Sequence, residues 1–232
     1  MNIDMTNENV VDNISILKLP VKGYNKILKN NMPFRIVKRA TDVTLSSIAM
    51  VLLMPLFAII ALAIKLESKG PVLFKHTRIG KDGKIIKIYK FRSMVDNAED
   101  LIKKFTPEQM EEYKKNYKLS NDPRVTKVGK FLRKTSLDEL PQLINIIKGD
   151  LSIIGPRPVV AEELKKYGEN ASKFLSVTPG LTGYWAANGR SCTSYEQRMQ
   201  MEMYYIDNLS FKMDAKVFFK TIEAVLKREG AI

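Results

Sequence analysis

The chain has 232 residues, 45% of them hydrophobic, which is apolar material enough for one or two packed domains and excludes a wholly disordered chain. Lys and Arg number 38 against 25 Asp and Glu, and the resulting +13 calls for an anionic partner: nucleic acid, an anionic membrane or a phosphorylated substrate. One cysteine, Cys192, and one histidine, His76, exclude an internal disulfide and the common Cys/His zinc sites.

Residues 1–20 are polar and acidic and read as a flexible leader, and from Val21 to Arg39 apolar and basic residues interleave, as they do in an interfacial segment. Val43 to Ile64 then carries no charge. As a helix this run would reach about 33 Å, close to the roughly 30 Å of a hydrocarbon core. Pro55 stands near its middle, where it removes an intrahelical hydrogen bond and bends the helix. Basic residues flank both sides, Lys22, Lys26, Lys29, Arg35, Lys38 and Arg39 before and Lys65, Lys69, Lys75, Arg78 and Lys81 after. Charge on both flanks predicts a re-entrant helix with both ends on the cytoplasmic face; a tilted spanning helix is the alternative. The run starts too far into the chain, and lacks the cleavage pattern, for a secretory signal.

Next, VLFKHTRIG and KIIKIYKFRSM flank Lys81-Asp82-Gly83, a strong hairpin signal. Residues 96–118 are charged and contain Pro107, which suits solvated helical pieces. Ser136 and Glu139 have capping-box spacing, Leu137, Leu140, Leu143, Ile144 and Ile147 follow at helical spacing, and Gly149 supplies a stop. One amphipathic helix is predicted, with Asp138 and Glu139 in its first turn and Pro141 tolerated near its start. Residues 159–170 read as a short charged helix, VTPGLTGYWAANGR as an ordered loop, and 195–209 and 214–227 as helices. Phe211, Val217, Phe218, Ile222, Val225 and Leu226 make an apolar stripe that packs on the body or lies at a membrane surface.

Adjacent carboxylates point about 100° apart in a helix interior, but at an exposed first turn both reach a ligand over the helix end, where the dipole favours their ionised forms. Ordinary capping is the alternative reading. Arg124, Arg133 and Arg157 accompany the pair, and Arg157 lies within Gly155-Pro156-Arg157-Pro158, where two prolines preorganise one guanidinium as a phosphate fork. Carboxylates with arginines suggest Mg2+ and a phosphorylated substrate. The phosphate-loop and dinucleotide glycine motifs are missing, no metalloprotease histidine pair exists, and Cys192 has no partner motif for nucleophilic work. The basic residues do not alternate with aromatics in a nucleic-acid module, so nucleic acid is not expected as a partner.

The block from Asn121 to Pro158, with KFRSM before it and PGLTG and GRS after it, resembles the bacterial sugar transferase family, the monotopic polyprenyl-phosphate phosphoglycosyl transferases, over residues 32–228. The resemblance implies transfer of a hexose-1-phosphate from a UDP-sugar, glucose or galactose favoured, to undecaprenyl phosphate with release of UMP, at the start of exopolysaccharide, capsule or O-antigen synthesis. It implies Asp138 as nucleophile, Glu139 as its partner in an Mg2+-dependent dyad, phosphate-handling Arg133 and Arg157, Lys90 and Arg92 in a hallmark segment near the site, and Pro55 as the break of a re-entrant helix; together with Arg124, which flanks the carboxylates in sequence, these cations are the expected substrate-phosphate binders. Met54 replaces the serine frequent before that proline, and Ala186 replaces a frequent glutamine after Trp185. The expected fold is α+β: a mostly helical monotopic protein at the cytoplasmic face of the cell membrane, with one proline-broken re-entrant helix, a short β-hairpin and interfacial amphipathic helices. Its expected parts are a leader (1–20), an interfacial and re-entrant segment (21–69) and a cytosolic catalytic domain (70–232). A homo-oligomer stays open. The rival reading is a non-catalytic membrane scaffold that binds anionic lipid.

Overall fold

Helix α1 (Met32–Leu52) gives way to α2 (Met54–Glu67) at Leu53, and the axis turns by 62°. The cause is Pro55, which sits in the first turn of α2 and has no amide to continue the ladder from α1, so the α2 hydrogen bonds restart with the Phe57 N–H donating to the Leu53 carbonyl at 2.9 Å. The computed structural model describes residues 32–116, 119, 122–189 and 193–227; the predicted leader, residues 21–31 and Cys192 lie outside them. Among the described residues no single helix is long and apolar enough to cross a membrane, while the bent α1–α2 pair together has the length and composition.

Strands β1 (Leu73–Ile79) and β2 (Ile85–Phe91) form the predicted hairpin. Its turn, Lys81–Gly83, places Asp82 at φ 56° and Gly83 at φ 77°, the left-handed region that Asp and Gly tolerate. Short helices α3 (Ala98–Ile102) and α4 (Pro107–Asn116) follow in the charged stretch, then α5 (Lys127–Thr135), a 3-10 turn Leu137–Glu139 and α6 (Gln142–Lys148). The single helix expected from Leu137 to Gly149 is thus two pieces separated by Leu140 and Pro141, and the Ser136–Glu139 capping box does not form: Ser136 is left-handed at φ 58° and its side chain caps nothing. Pro141 has no amide to offer, which prevents the 3-10 turn from running on into α6. Gly149, at φ 93°, does end the helix.

Strand β3 (Ser152–Ile154) pairs parallel with β4 (Gly180–Thr182), Ser152 opposite Gly180 and Ile154 opposite Thr182. The stretch expected as an ordered loop is therefore a strand followed by α9 (Tyr184–Asn188); α7 (Ala161–Lys165) and α8 (Ala171–Leu175) precede it, and α10 (Tyr195–Asp207) and α11 (Phe211–Leu226) follow. The fold is mostly helical with two small sheets, in keeping with the α+β expectation.

Contacts divide the chain into two units. Of the described residues, the first holds 32–51, Lys75–Ile88 and 142–227. Its core gathers Ile79, Ile154, Val159, Leu164, Phe174, Tyr205 and Val217. Three polar anchors fix α1 here: Lys38 pairs with Asp214 at 2.6 Å, the Arg39 guanidinium donates to the Ile146 and Ile147 carbonyls at the end of α6 at 2.5 and 2.8 Å, and the Asp42 carboxylate accepts the Ile153 N–H at 3.0 Å. A cation on the last carbonyls of a helix satisfies groups that have no partner within it. The apolar stripe of α11 divides, Val217 being fully buried in this core while Phe211, Phe218 and Ile222 stay exposed.

The second unit holds Leu52–Phe74 and Tyr89–Pro141. Ile60 and Ile64 of α2, Phe91 of β2 and Leu132 of α5 form its core, flanked by Leu137 and Leu140. Glu67, at the end of α2, accepts the Lys127 and Val128 amides, and the Thr126 hydroxyl accepts that of Gly129, so the α5 N-terminus is capped twice. Gly129 lies directly against the backbone of Ser93, where any side chain would collide with the Ser93 carbonyl. Replacing Gly129→Ala is expected to destabilise this unit by about 2 kcal/mol or more, because two backbones must separate. Denaturant unfolding checks this, and an unchanged midpoint would refute the close approach.

Candidate active site

The candidate dyad is made by a tight reversal in the second unit. After α5 the left-handed Ser136 donates its amide to the Arg133 carbonyl, and the chain passes at once into the turn Leu137–Glu139. Leu137 and Leu140 pack on the core, which brings Asp138, 9% exposed, down beside β2 and leaves Glu139 half-buried. Lys90 of β2 meets both carboxylates: its Nζ lies 2.6 Å from Glu139 Oε1 and 3.9 Å from Asp138 Oδ2. Burial raises the pKa of Asp138 above the ordinary aspartate value and so disfavours its ionised form; Lys90 opposes this, the Glu139 charge adds to it, and Arg133 opposes it. What favours the ionised carboxylate is first the Lys90 cation, then Arg133 and the Asp138 backbone amide, at a buried position in place of the exposed helix end expected from the spacing. Arg133 donates through Nε to the Ser93 hydroxyl at 2.9 Å.

Two further cations named from the sequence are committed to partners away from the dyad, one to a carboxylate and one to backbone carbonyls. Arg124 forks onto Asp122 through Nε at 2.8 Å and a terminal nitrogen at 2.6 Å, with Phe105 and Tyr113 rings about 5 Å from its guanidinium. Arg92 donates to the Ser68 and Lys69 carbonyls just past the end of α2 at 2.8 and 2.6 Å. Lys90 and Arg133 are the cations set electrostatically against Asp138 in this unit. As a donor set, Asp138 and Glu139 suit a hard cation that completes its shell with phosphate oxygens and water. Among the described residues no third Asp, Glu, His or Cys joins them.

Arg157 belongs to the first unit. The Gly155 amide donates to the Thr182 carbonyl and the Gly180 amide to the Pro156 carbonyl, both at 2.9 Å, so the Gly-Pro-Arg-Pro loop lies backbone to backbone along Gly180–Gly183. A Cβ at Gly155, Gly180 or Gly183 would strike that neighbouring backbone. Pro156 and Pro158 are buried while the Arg157 side chain is exposed, with its guanidinium 5.8 Å from the Trp185 ring; that of Arg198 is 4.8 Å from the same ring. The Arg157 N–H donates to Glu202 Oε1 at 3.1 Å. Sequence reasoning missed Arg198 and Glu202. The available signal was their spacing: with Tyr205 and Ile206 they fall on one buried face of α10, where two charges are anomalous. A cavity of about 320 Å³ lined by Arg35, Lys81 and Ser152 among others includes none of the predicted site residues.

Burial lifts Glu202 to about 7, with Arg157 and Arg198 opposing. Because the folded value is raised, the associated stability is fully present below the unfolded value near 4.5 and is lost as pH rises through about 7. Glu202→Gln is therefore expected to match the wild type at pH 4 and to exceed its stability at pH 8 by on the order of 3 kcal/mol. Unfolding curves at the two pH values measure this, and an equal difference at both would refute the buried titration.

Comparison with known proteins supplies the family. The bacterial sugar transferase model matches residues 34–228. The chain is 44% identical over 197 residues to exopolysaccharide production protein ExoY of Rhizobium meliloti, covering 84% of this chain and 87% of that protein. It is 40% identical over 200 residues to an undecaprenyl-phosphate galactose phosphotransferase of Salmonella typhimurium, covering 85% of this chain and 42% of the relative. It is 38% identical over 223 residues to a UDP-glucose:undecaprenyl-phosphate glucose-1-phosphate transferase of Escherichia coli, covering 92% and 43%. The chain thus spans less than half the length of those last two relatives and most of the first. With the match running from α1 through α11 and taking in both the dyad turn and the Gly-Pro-Arg-Pro loop, the chain belongs to the bacterial sugar transferase family.

Proposed function

We propose that the protein is a phosphoglycosyl transferase that moves a hexose-1-phosphate from a UDP-sugar, glucose or galactose, to undecaprenyl phosphate, releases UMP, and so initiates an exopolysaccharide, capsule or O-antigen. The observation that carries this reading is the Lys90-bridged Asp138–Glu139 pair within a chain of this family. The relatives' names, a galactose phosphotransferase and a UDP-glucose-dependent transferase acting on undecaprenyl phosphate, support the substrate classes.

In the proposed first step an Asp138 oxygen attacks the sugar-proximal phosphorus, the bond to the UMP oxygen breaks, and the sugar phosphate is left on the carboxylate. In the second, an oxygen of the lipid phosphate attacks the same phosphorus, Asp138 departs as carboxylate, and the lipid diphosphate sugar forms. One displacement between a soluble donor and a lipid acceptor thereby becomes two. Lys90 holds Glu139 and favours the ionised Asp138 before attack, and Arg157 binds a donor phosphate. Mg2+ held by Asp138 and Glu139 would neutralise charge on the phosphoryl oxygens. The α1–α2 bend at Pro55 supports a re-entrant segment that keeps both flanks on the cytoplasmic face and brings the acceptor's head group within reach.

UMP release by the detergent-purified chain with Mg2+, undecaprenyl phosphate and a panel of UDP-sugars tests the reaction. Release with one sugar, dependent on the lipid and abolished by Asp138→Asn, is expected. Release retained in that variant would refute the nucleophile, and a folded chain that binds membranes yet turns over no donor would favour the scaffold reading. Pro55→Ala is expected to straighten the bend, so cysteine-accessibility labelling of residues before α1 and after α2 should then find the two flanks on opposite sides. Flanks on opposite sides already in the wild type would refute re-entry.

A further inference from the structure

Glu202 is a fully buried carboxyl group in the first unit. It is 1% exposed, its Oε1 accepts the Arg157 amide, and among the described residues its Oε2 has no hydrogen-bond partner, with the Arg198 and Arg157 charges acting on it electrostatically. A leucine or methionine would fill that volume without the desolvation cost of a carboxyl group, so packing does not account for it. Its single bond goes to the one backbone donor of Pro156-Arg157-Pro158, because neither proline has an N–H. The prolines fix their own φ angles and the Pro156 carbonyl accepts the Gly180 amide, so much of the freedom left to the tripeptide is rotation about the Arg157 backbone. That rotation is what the bond to Glu202 removes.

We propose that Glu202 is the positioning residue of the Arg157 phosphate fork: by holding the Arg157 amide it fixes the direction in which the exposed guanidinium leaves the loop beside Trp185. This rests on the donor-phosphate role given to Arg157 above. Glu202 touches no reacting atom and acts through Arg157. A carboxamide preserves the acceptor, a methyl group removes it, and a shortened carboxylate withdraws it by one methylene.

The test is the donor KM and kcat of the purified full chain in the UMP-release assay with UDP-glucose and UDP-galactose, for Glu202→Gln, Glu202→Ala, Arg157→Ala and the double alanine variant. Glu202→Ala is expected to raise the donor KM about tenfold with kcat within about twofold, Glu202→Gln to restore it, and the double variant to show no more than the Arg157→Ala effect, the non-additivity of two residues that act through one contact. A raised KM in Arg157→Ala with none in Glu202→Ala, or full additivity in the double variant, overturns the positioning role and leaves the donor reading standing. An unchanged KM in Arg157→Ala overturns the donor role and the inference with it. If Glu202→Ala fails to fold, Glu202→Asp provides the same readout.

Discussion

Drawing two adjacent carboxylates out of water favours protonating one of them unless a cation is held between them, and Lys90 is that cation in the second unit. The surrounding architecture fixes the turn of α5 into Leu137–Glu139 relative to β2. Phe91 and Leu132 share a core, Gly129 permits contact with the Ser93 backbone, Arg133 reaches the Ser93 hydroxyl, and Glu67 ties the end of α2 to the start of α5. Residues 93–95 also pair with 124–126 through the Thr126 amide on the Ser93 carbonyl and the Val95 amide on that of Arg124. These contacts join residues far apart in the chain, and together they leave Lys90 little choice of partner.

The first unit solves a different problem, that of a binding loop with almost no backbone donors. Gly-Pro-Arg-Pro has amides at Gly155 and Arg157 alone, and the fold accounts for both: one goes to Thr182, the other to Glu202. The glycines at 155, 180 and 183 allow the two segments to lie in backbone contact, which is how a three-residue parallel ladder suffices to position the loop.

The chain's excess of positive charge is partly structural. Arg39 and Arg92 close the C-terminal ends of α6 and α2, and Arg124 stabilises the 122–126 segment from within. Arginine is suited to this work because a planar fork serves two carbonyls or one carboxylate at once. A guanidinium beside a motif in sequence thus has two physical uses, and its partners decide between them.

Periodicity and turn chemistry made much of the local structure legible: the Asp82-Gly83 hairpin, the proline break at residue 55, the stop at Gly149 and the helices of residues 195–227 all depend on backbone preferences of neighbours in sequence. The Asp138–Glu139 pair and the Gly-Pro-Arg-Pro loop were legible for the same reason, as residue types at fixed spacing. The Ser136–Glu139 spacing misled because a capping box needs an extended Ser136, whereas here Ser136 is left-handed at the reversal that lays Leu137 on the core of the second unit. The length of β4, the commitment of Arg92 and Arg124 to backbone and Asp122, the Lys90 bridge and the burial of Glu202 beneath Arg157 join residues far apart in the chain. Such pairings arise from the free energy of burying and neutralising groups that meet only after folding, so they belong to the tertiary structure alone.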